Sequence, residues 1–228
     1  AGFIDSSLSL RSDELKTIVL NMTKTLRHRG PDDEGFWTDA SMGVSLGHRR
    51  LSIIDLSSEG SQPMASQNGR YILIFNGEIY NFEQLRDEIK NCDNSFSYQF
   101  RGRSDTEVML AAFERWGVVK SLSRFDGMFA FACWDRTERT LYLSRDRVGE
   151  KPLYYGWAGK SLLFGSELSP LKSHPDFNTE VDREVMSLYL KFGYIPSPYS
   201  IYRNVFKLPP GTYITFKDFS PHKFPAIE

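Results

Sequence analysis

Tyr71-Ile-Leu-Ile-Phe-Asn-Gly-Glu-Ile-Tyr-Asn-Phe82 is the stretch on which the fold turns. Its first five residues favour β-structure and are apolar at odd and even positions alike, which describes a strand buried on both faces. Asn76-Gly77 after such a strand would ordinarily close a type I′ hairpin. Glu78-Ile79-Tyr80-Asn81-Phe82, however, lacks the alternation a returning strand needs and runs on towards Leu85 and Ile89, which share a helical face. The pattern therefore predicts a strand-to-helix turn at Asn76-Gly77. A helix should follow from about Asn81, with Asn81 and Gln84 as a capping pair. A turn of that kind aims the Asn76 amide and the Gly77 backbone N–H into a cleft, the equipment needed to hold an oxyanion during acyl transfer.

Working outward, Ser12 reads as the N-cap of a helix in which Leu15, Ile18, Val19, Met22 and Leu26 recur at helical spacing until Gly30-Pro31. Short strands are expected around 44–46 and 51–54. On the other side, Ser104 and Glu107 form an S-x-x-E box opening a helix that ends near Gly117. Strand patterns over 128–134, 140–144, 153–157 and 161–164 lie close enough together to be antiparallel hairpins. A helix is predicted over 182–192, a stiff proline-rich path over 194–210, and a last strand over 212–216. The tail after Asp218 has no periodicity and reads as a linker.

Composition removes whole classes of function. The chain has 228 residues, 40% of them hydrophobic, enough for a sizeable core in one or two domains. Its 28 Lys and Arg against 29 Asp and Glu leave a net charge of -1, which offers no general attraction to nucleic acid or anionic lipid. The longest apolar runs, 71–75 and 128–134, fall far short of the roughly 18 residues that cross a bilayer. Neither follows a basic leader, so a cytoplasmic chain is expected. Cys92 and Cys133 form no disulfide framework and read as small buried hydrophobes. His28, His48, His174 and His222 lack ligand spacing, so no metal is expected. Gly159-Lys160-Ser161 ends like a phosphate-binding loop, but Tyr154 stands where the first glycine belongs, and a hairpin turn explains it better.

Taken singly, the polar candidates are ambiguous. Arg50 could form a surface ion pair or a bidentate clamp for a carboxylate. Asp105 could be a first-turn carboxylate favoured by the helix dipole.

The blocks Arg27-His-Arg-Gly-Pro-Asp-Asp-Glu-Gly35, Arg50-Leu-Ser-Ile-Ile-Asp55, Asn76-Gly-Glu-Ile-Tyr-Asn81, Ser104-Asp-Thr-Glu107, Asp126-Gly-Met-Phe-Ala-Phe131, Arg145-Asp-Arg-Val-Gly-Glu-Lys-Pro-Leu-Tyr154 and Leu208-Pro-Pro-Gly-Thr212 occur together and in order. In this the chain resembles the N-terminal glutaminase domain of glutamine-hydrolysing asparagine synthetases over nearly its whole length. The resemblance implies an α+β fold of the N-terminal-nucleophile type: two stacked antiparallel sheets between helix layers, αββα. That domain would occupy residues 1–217, with 218–228 as a linker or the start of a synthetase domain. The implied reaction is hydrolysis of glutamine to glutamate and ammonia through a thioester, with an N-terminal cysteine as nucleophile and its own α-amine as base.

Carried over residue by residue, the resemblance gives Arg50 the substrate α-carboxylate. It gives Asp105 and the backbone near Gly77 the α-ammonium, and Asn76 with Gly77 the oxyanion. Glu78 and the Ile53 backbone would complete the pocket. No cofactor is implied for this domain; ATP and magnesium belong to a synthetase domain whose Ser-Gly-Gly-x-Asp-Ser loop is not in these residues. The implied partners are glutamine, that synthetase domain and, as a homodimer, a second copy of the chain.

Where the family begins Cys-Gly-Ile-Ala-Gly-Phe, this chain begins Ala1-Gly2-Phe3, so the nucleophile is absent and the chain as written is expected to be inactive. Neither Cys92 nor Cys133 offers a free α-amine in its place. The default acceptor for the ammonia is aspartate, with a sugar acid as the alternative. A glutamine-binding or assembly module without catalysis is the rival from another class. Amidophosphoribosyltransferases and glucosamine-phosphate synthases are disfavoured by the blocks at 27–34 and 208–211.

Overall fold

The computed structural model describes residues 1–51, 58–91, 97–217 and 219–228, and in it the strands collect into two antiparallel sheets. Numbered along the chain, the first sheet contains β1 (Gly2–Asp5), β2 (Asp33–Asp39), β3 (Val44–Arg50), β8 (Tyr154–Ala158), β9 (Ser161–Gly165) and β10 (Val205–Lys207), in the order β10-β8-β9-β1-β3-β2. The second contains β4 (Met64–Ala65), β5 (Tyr71–Ile79), β6 (Gly127–Asp135), β7 (Thr140–Arg145) and β11 (Tyr213–Phe216), in the order β11-β7-β6-β5-β4. Helices α1 (Ser12–Lys24) and α5 (Leu168–Lys172) pack on the first sheet, and α2 (Phe82–Lys90) and α3 (Asp105–Trp116) on the second. Helix α4 (Val118–Leu122) follows α3, and α6 (Arg183–Phe192) lies largely exposed. This is the two-sheet α+β arrangement between helix layers that the resemblance implied.

The period of two along a strand sorts side chains into three apolar layers. On β5, Ile72 and Ile74 face the first sheet and join Val44, Leu46, Trp134 and Phe164 between the sheets. Tyr71, Leu73 and Phe75 face the opposite way, onto Val108 and Phe113 of α3. That is why 71–75 is apolar at every position. A third layer sets Leu15, Val19 and Met22 of α1 against Phe3 of β1.

The predicted turn at Asn76-Gly77 does not occur. β5 runs through it to Ile79, paired with β6 along its whole length, from Tyr71 opposite Asp135 to Ile79 opposite Gly127. Gly77 serves that pairing: a Cβ there would collide with the Met128 carbonyl oxygen, and one on Gly127 with that of Glu78. Both glycines therefore read as sites of close backbone approach. The chain turns at Tyr80-Asn81 instead. Asn81 does hold the N-cap position of α2, but makes no side-chain cap. Its amide donates to the Arg124 carbonyl at 2.9 Å and accepts from the Asp126 N–H at 3.0 Å, so the pair with Gln84 does not form.

Smaller departures have similar causes. Arg11 rather than Ser12 stands at the N-cap of α1, with the Glu14 carboxylate accepting the Arg11 N–H. Ser104 caps α3 by accepting from Glu107 N–H at 3.2 Å, but the Glu107 carboxylate turns to the N–H groups of Arg101 and Gly102 rather than closing the box. Leu51 lies outside β3, and the rest of the strand expected over 51–54 lies outside the described residues. The tail, expected from 218 as a linker or the start of a synthetase domain, packs on this domain. Phe219 meets Trp134, Phe224 meets Tyr155 and Phe206, and Glu228 exchanges backbone hydrogen bonds with Tyr213. Cys133 is fully buried in β6, where burial pushes its thiol pKa up; Cys92 lies outside the described residues.

Candidate active site

At one end of the inter-sheet layer the apolar rows become polar. Along β3 the row Val44, Leu46 continues as His48, Arg50; along β5 the row Ile72, Ile74 continues as Asn76, Glu78. A cleft of about 410 Å³ opens there, lined by Arg50, Asn76, Gly77, Glu78 and Asp105 together with Arg29, His48, Gln62 and Lys151. The structure thus brings five of the six sequence-predicted site residues into one concavity; the sixth, Ile53, lies outside the described residues.

Arg50 ends β3 and is half-buried. Its neighbour Arg49, of opposite parity, is ion-paired with Glu34. The end of β3 is held by the segment before β2. Asp32 N–H donates to the Arg50 carbonyl at 3.1 Å, and Gly30 lies so close to the backbone of Arg49 and Arg50 that no side chain fits there. The block at 27–35 therefore braces the arginine.

Asp105 is buried at the start of α3, and more than the helix dipole accounts for it. One carboxylate oxygen accepts Thr106 N–H at 2.8 Å and the other accepts Ile79 N–H at 3.0 Å, tying the helix start to the end of β5. Burial pushes its pKa up, as does the charge of Glu78, while the two N–H bonds pull it down; the net direction is up. Each oxygen keeps acceptor capacity for a cation in the cleft.

The free edge of β5 supplies the donors. β4 covers it only as far as Leu73. Beyond that point, Phe75 N–H donates to Gln62 Oε1 at 2.7 Å and Ile79 N–H to Asp105. By the two-residue period, Gly77 N–H leaves the same edge between them. Phe129, opposite Gly77, uses its own N–H and carbonyl on Asp146, which agrees with a Gly77 N–H directed away from β6. The Asn76 amide nitrogen is buried and has no hydrogen-bond partner among the described residues. Two neighbouring donors, one side chain and one backbone, thus border the cleft.

Lys151 reaches the cleft on a loop built around Asp146. Its carboxylate accepts the N–H groups of Val148, Gly149, Glu150 and Lys151, which holds its pKa down despite burial. The Arg145 guanidinium binds the carbonyls of Gly149, Lys151 and Leu208. The blocks at 145–154 and 208–212 therefore brace one another. Sequence reasoning overlooked His48, which its parity with Arg50 could have revealed, and Gln62, for which no sequence pattern exists.

Residues 2–224 match the model of the glutamine amidotransferase domain. The chain belongs to that family. Among curated proteins, this glutamine amidotransferase domain is 34% identical over 223 residues to a putative glutamine-hydrolysing asparagine synthetase 2 of Methanocaldococcus jannaschii, covering 90% of this chain and 42% of that protein. It is 37% identical over 200 residues to glutamine-hydrolysing asparagine synthetase 1 of Bacillus subtilis, covering 88% of this chain and 30% of that one. The domain thus spans less than half the length of these relatives. Among solved structures, the glutamine phosphoribosylpyrophosphate amidotransferase of B. subtilis superposes with a TM-score of 0.67 at 20% identity, over 100% of this chain and 48% of that one. That likeness shows the shared fold. No helix among the described residues is long and apolar enough to cross a membrane.

Proposed function

We propose that this domain hydrolyses glutamine to glutamate and ammonia, and that the ammonia is used by an ATP- and magnesium-dependent synthetase domain to amidate aspartate. The observation that carries the reading is the meeting of Arg50, Asp105, Asn76 and Gly77 at one cleft. A bidentate guanidinium suits the α-carboxylate, and a buried carboxylate suits the α-ammonium. The Asn76 amide and Gly77 N–H then serve the oxygen of the side-chain amide as it gains charge.

The nucleophile is a cysteine joined upstream of Ala1, and the register of β1 supports its placement. Gly2 pairs with Leu46, and Ala1 exchanges both backbone hydrogen bonds with Gly47. Continued in that register, Cys-Gly-Ile ahead of Ala1 sets Ile opposite His48, Gly opposite Arg49 and Cys opposite Arg50. The cysteine shares the parity of Gly2 and Ile4, and Ile4 faces the second sheet. Its sulfur then attacks the amide carbon while its α-amine takes the thiol proton. The C–N bond breaks, and ammonia leaves with the proton that the amine returns. Water cleaves the thioester, releasing glutamate and restoring the thiol.

The curated relatives are named as glutamine-hydrolysing asparagine synthetases, which favours aspartate as acceptor. Val148, Tyr194 and Tyr199 are exposed on the stretches 145–154 and 194–210, apolar surface suited to docking a further domain. The test is glutamate release by the polypeptide extended with Cys-Gly-Ile. A folded extended chain that releases none overturns the reading.

A further inference from the structure

His48 stands two residues before Arg50 on β3, and its ring crosses to the other sheet, where Nε2 lies 3.0 Å from the Phe75 carbonyl oxygen. A carbonyl can only accept, so Nε2 carries a proton. Nδ1 is buried and has no hydrogen-bond partner among the described residues. Burial pushes the pKa of the ring down to about 4, so the imidazole is neutral near pH 7.

Phe75 is the residue before Asn76, and the carbonyl that His48 holds belongs to the same planar peptide unit as Asn76 N–H. The Phe75 N–H donates to Gln62 Oε1 at 2.7 Å, which fixes the preceding peptide unit as well. The cluster between the sheets around Ile72, Ile74, Leu46 and Trp134 is apolar, and such contacts are non-directional. The bond from His48 is directional and lies at the border of the cleft and a smaller cavity of about 30 Å³, which His48, Asn76 and Ala1 share.

We propose that His48 is a positioning residue for amide hydrolysis: by tying β3 to β5 at Phe75, it sets the separation between Arg50 on one sheet and the donors of Asn76 and Gly77 on the other. The proposal rests on the function argued above, because a substrate gripped at Arg50 must present its amide oxygen across that separation. The oxyanion contact is complete only in the transition state, so a small shift of β5 lowers kcat more than it raises KM.

The test uses the cysteine-bearing polypeptide. His48→Leu keeps an apolar side chain of similar reach and removes the N–H; kcat falls roughly a hundredfold while KM changes less than about threefold. His48→Gln supplies a side-chain N–H and returns kcat to within about tenfold of the parent, a rescue that simple packing would not give. Nitrogen NMR of the imidazole in the unsubstituted protein shows a protonated Nε2 and a bare Nδ1 near pH 7. That measurement needs no variant, so the tether is decided even if the Leu protein does not fold. A Leu protein with parental kcat, equal losses in the Leu and Gln proteins, or an Nε2 without a proton overturns the proposal. An unsubstituted protein that neither binds nor hydrolyses glutamine overturns the functional reading instead, whatever the spectrum shows.

Discussion

Asp105 accepts the Ile79 backbone N–H at 3.0 Å, so the carboxylate suited to a substrate ammonium also pins the end of β5 to the start of α3. Asp105→Asn therefore has two separable effects. An amide can replace only one of the two acceptors, and its NH2 must then face the N–H of Ile79 or Thr106, which costs about 1–3 kcal/mol of stability. Removing the counter-charge of a bound ammonium costs a further 2–4 kcal/mol, roughly, of glutamine affinity. Calorimetry on the folded variant measures the second effect. Affinity within threefold of the parent would place the ammonium elsewhere.

The same residue sets a pH dependence. Its folded pKa is raised above the ordinary 3.8, so the folded protein binds the proton more tightly than the unfolded chain does. Its contribution is least favourable when it is ionised above the raised value, and improves as pH falls towards 3.8. Denaturation curves across the carboxylate range should show this gain in the parent and not in Asp105→Asn. Parallel pH profiles for the two proteins would contradict the raised value.

Arg50 and Arg49 are adjacent in sequence and opposite in parity, so paired substitutions discriminate between them. Arg50→Lys loses the planar fork and weakens glutamine binding by about 2–4 kcal/mol. Arg49→Lys alters an ion pair with Glu34 and leaves that affinity within about threefold. Equal losses in a calorimetric titration would mean that parity does not decide which arginine faces the substrate.

Asn76→Ala should lower turnover of the cysteine-bearing protein about a hundredfold or more and weaken binding much less, because the amide acts on an oxygen that gains its charge in the transition state. Gly77→Ala acts through the backbone: its Cβ meets the Met128 carbonyl, so β5 and β6 separate and stability falls by about 1–3 kcal/mol. Steady-state kinetics and denaturant unfolding separate the two. An Asn76→Ala protein that loses KM and kcat in proportion would assign the amide to ground-state binding.

Most elements were legible because local patterns and packing agree. The helical face of α3 and the strands β6 to β9 stand within a residue or two of where periodicity puts them, whereas α1, expected to run up to Gly30-Pro31, ends at Lys24 and gives way to turns. Asn76-Gly77 misled because glycine permits a turn and close strand contact alike, and only the partner residues Ala130 and Phe129, far along the chain, decide between them. The polar row His48, Arg50 could be read from the period of β3, whereas Gln62 comes to Phe75 from a segment with no periodic signal. The roles at the cleft came from the resemblance; taken alone, Asp105 reads as an ordinary helix-start carboxylate.

The register of β1 makes the sharpest claim about the nucleophile. Because side chains alternate, inserting one glycine to give Cys-Gly-Gly-Ile ahead of Ala1 carries the cysteine one position past Arg50, the last residue of β3, and turns it from the second sheet towards the face that α1 covers. Glutamine binding, proposed above to rest on Arg50 and Asp105, should survive the insertion, while glutamate release should fall to the level of the chain that begins at Ala1. Acetylating the cysteine of the uninterrupted extension should also abolish release, since it removes the base and leaves the thiol. Glutamate assays on the three polypeptides, with calorimetry for binding, test this directly. Turnover in the inserted protein equal to that of the uninterrupted one would show that the nucleophile is not delivered by extending β1.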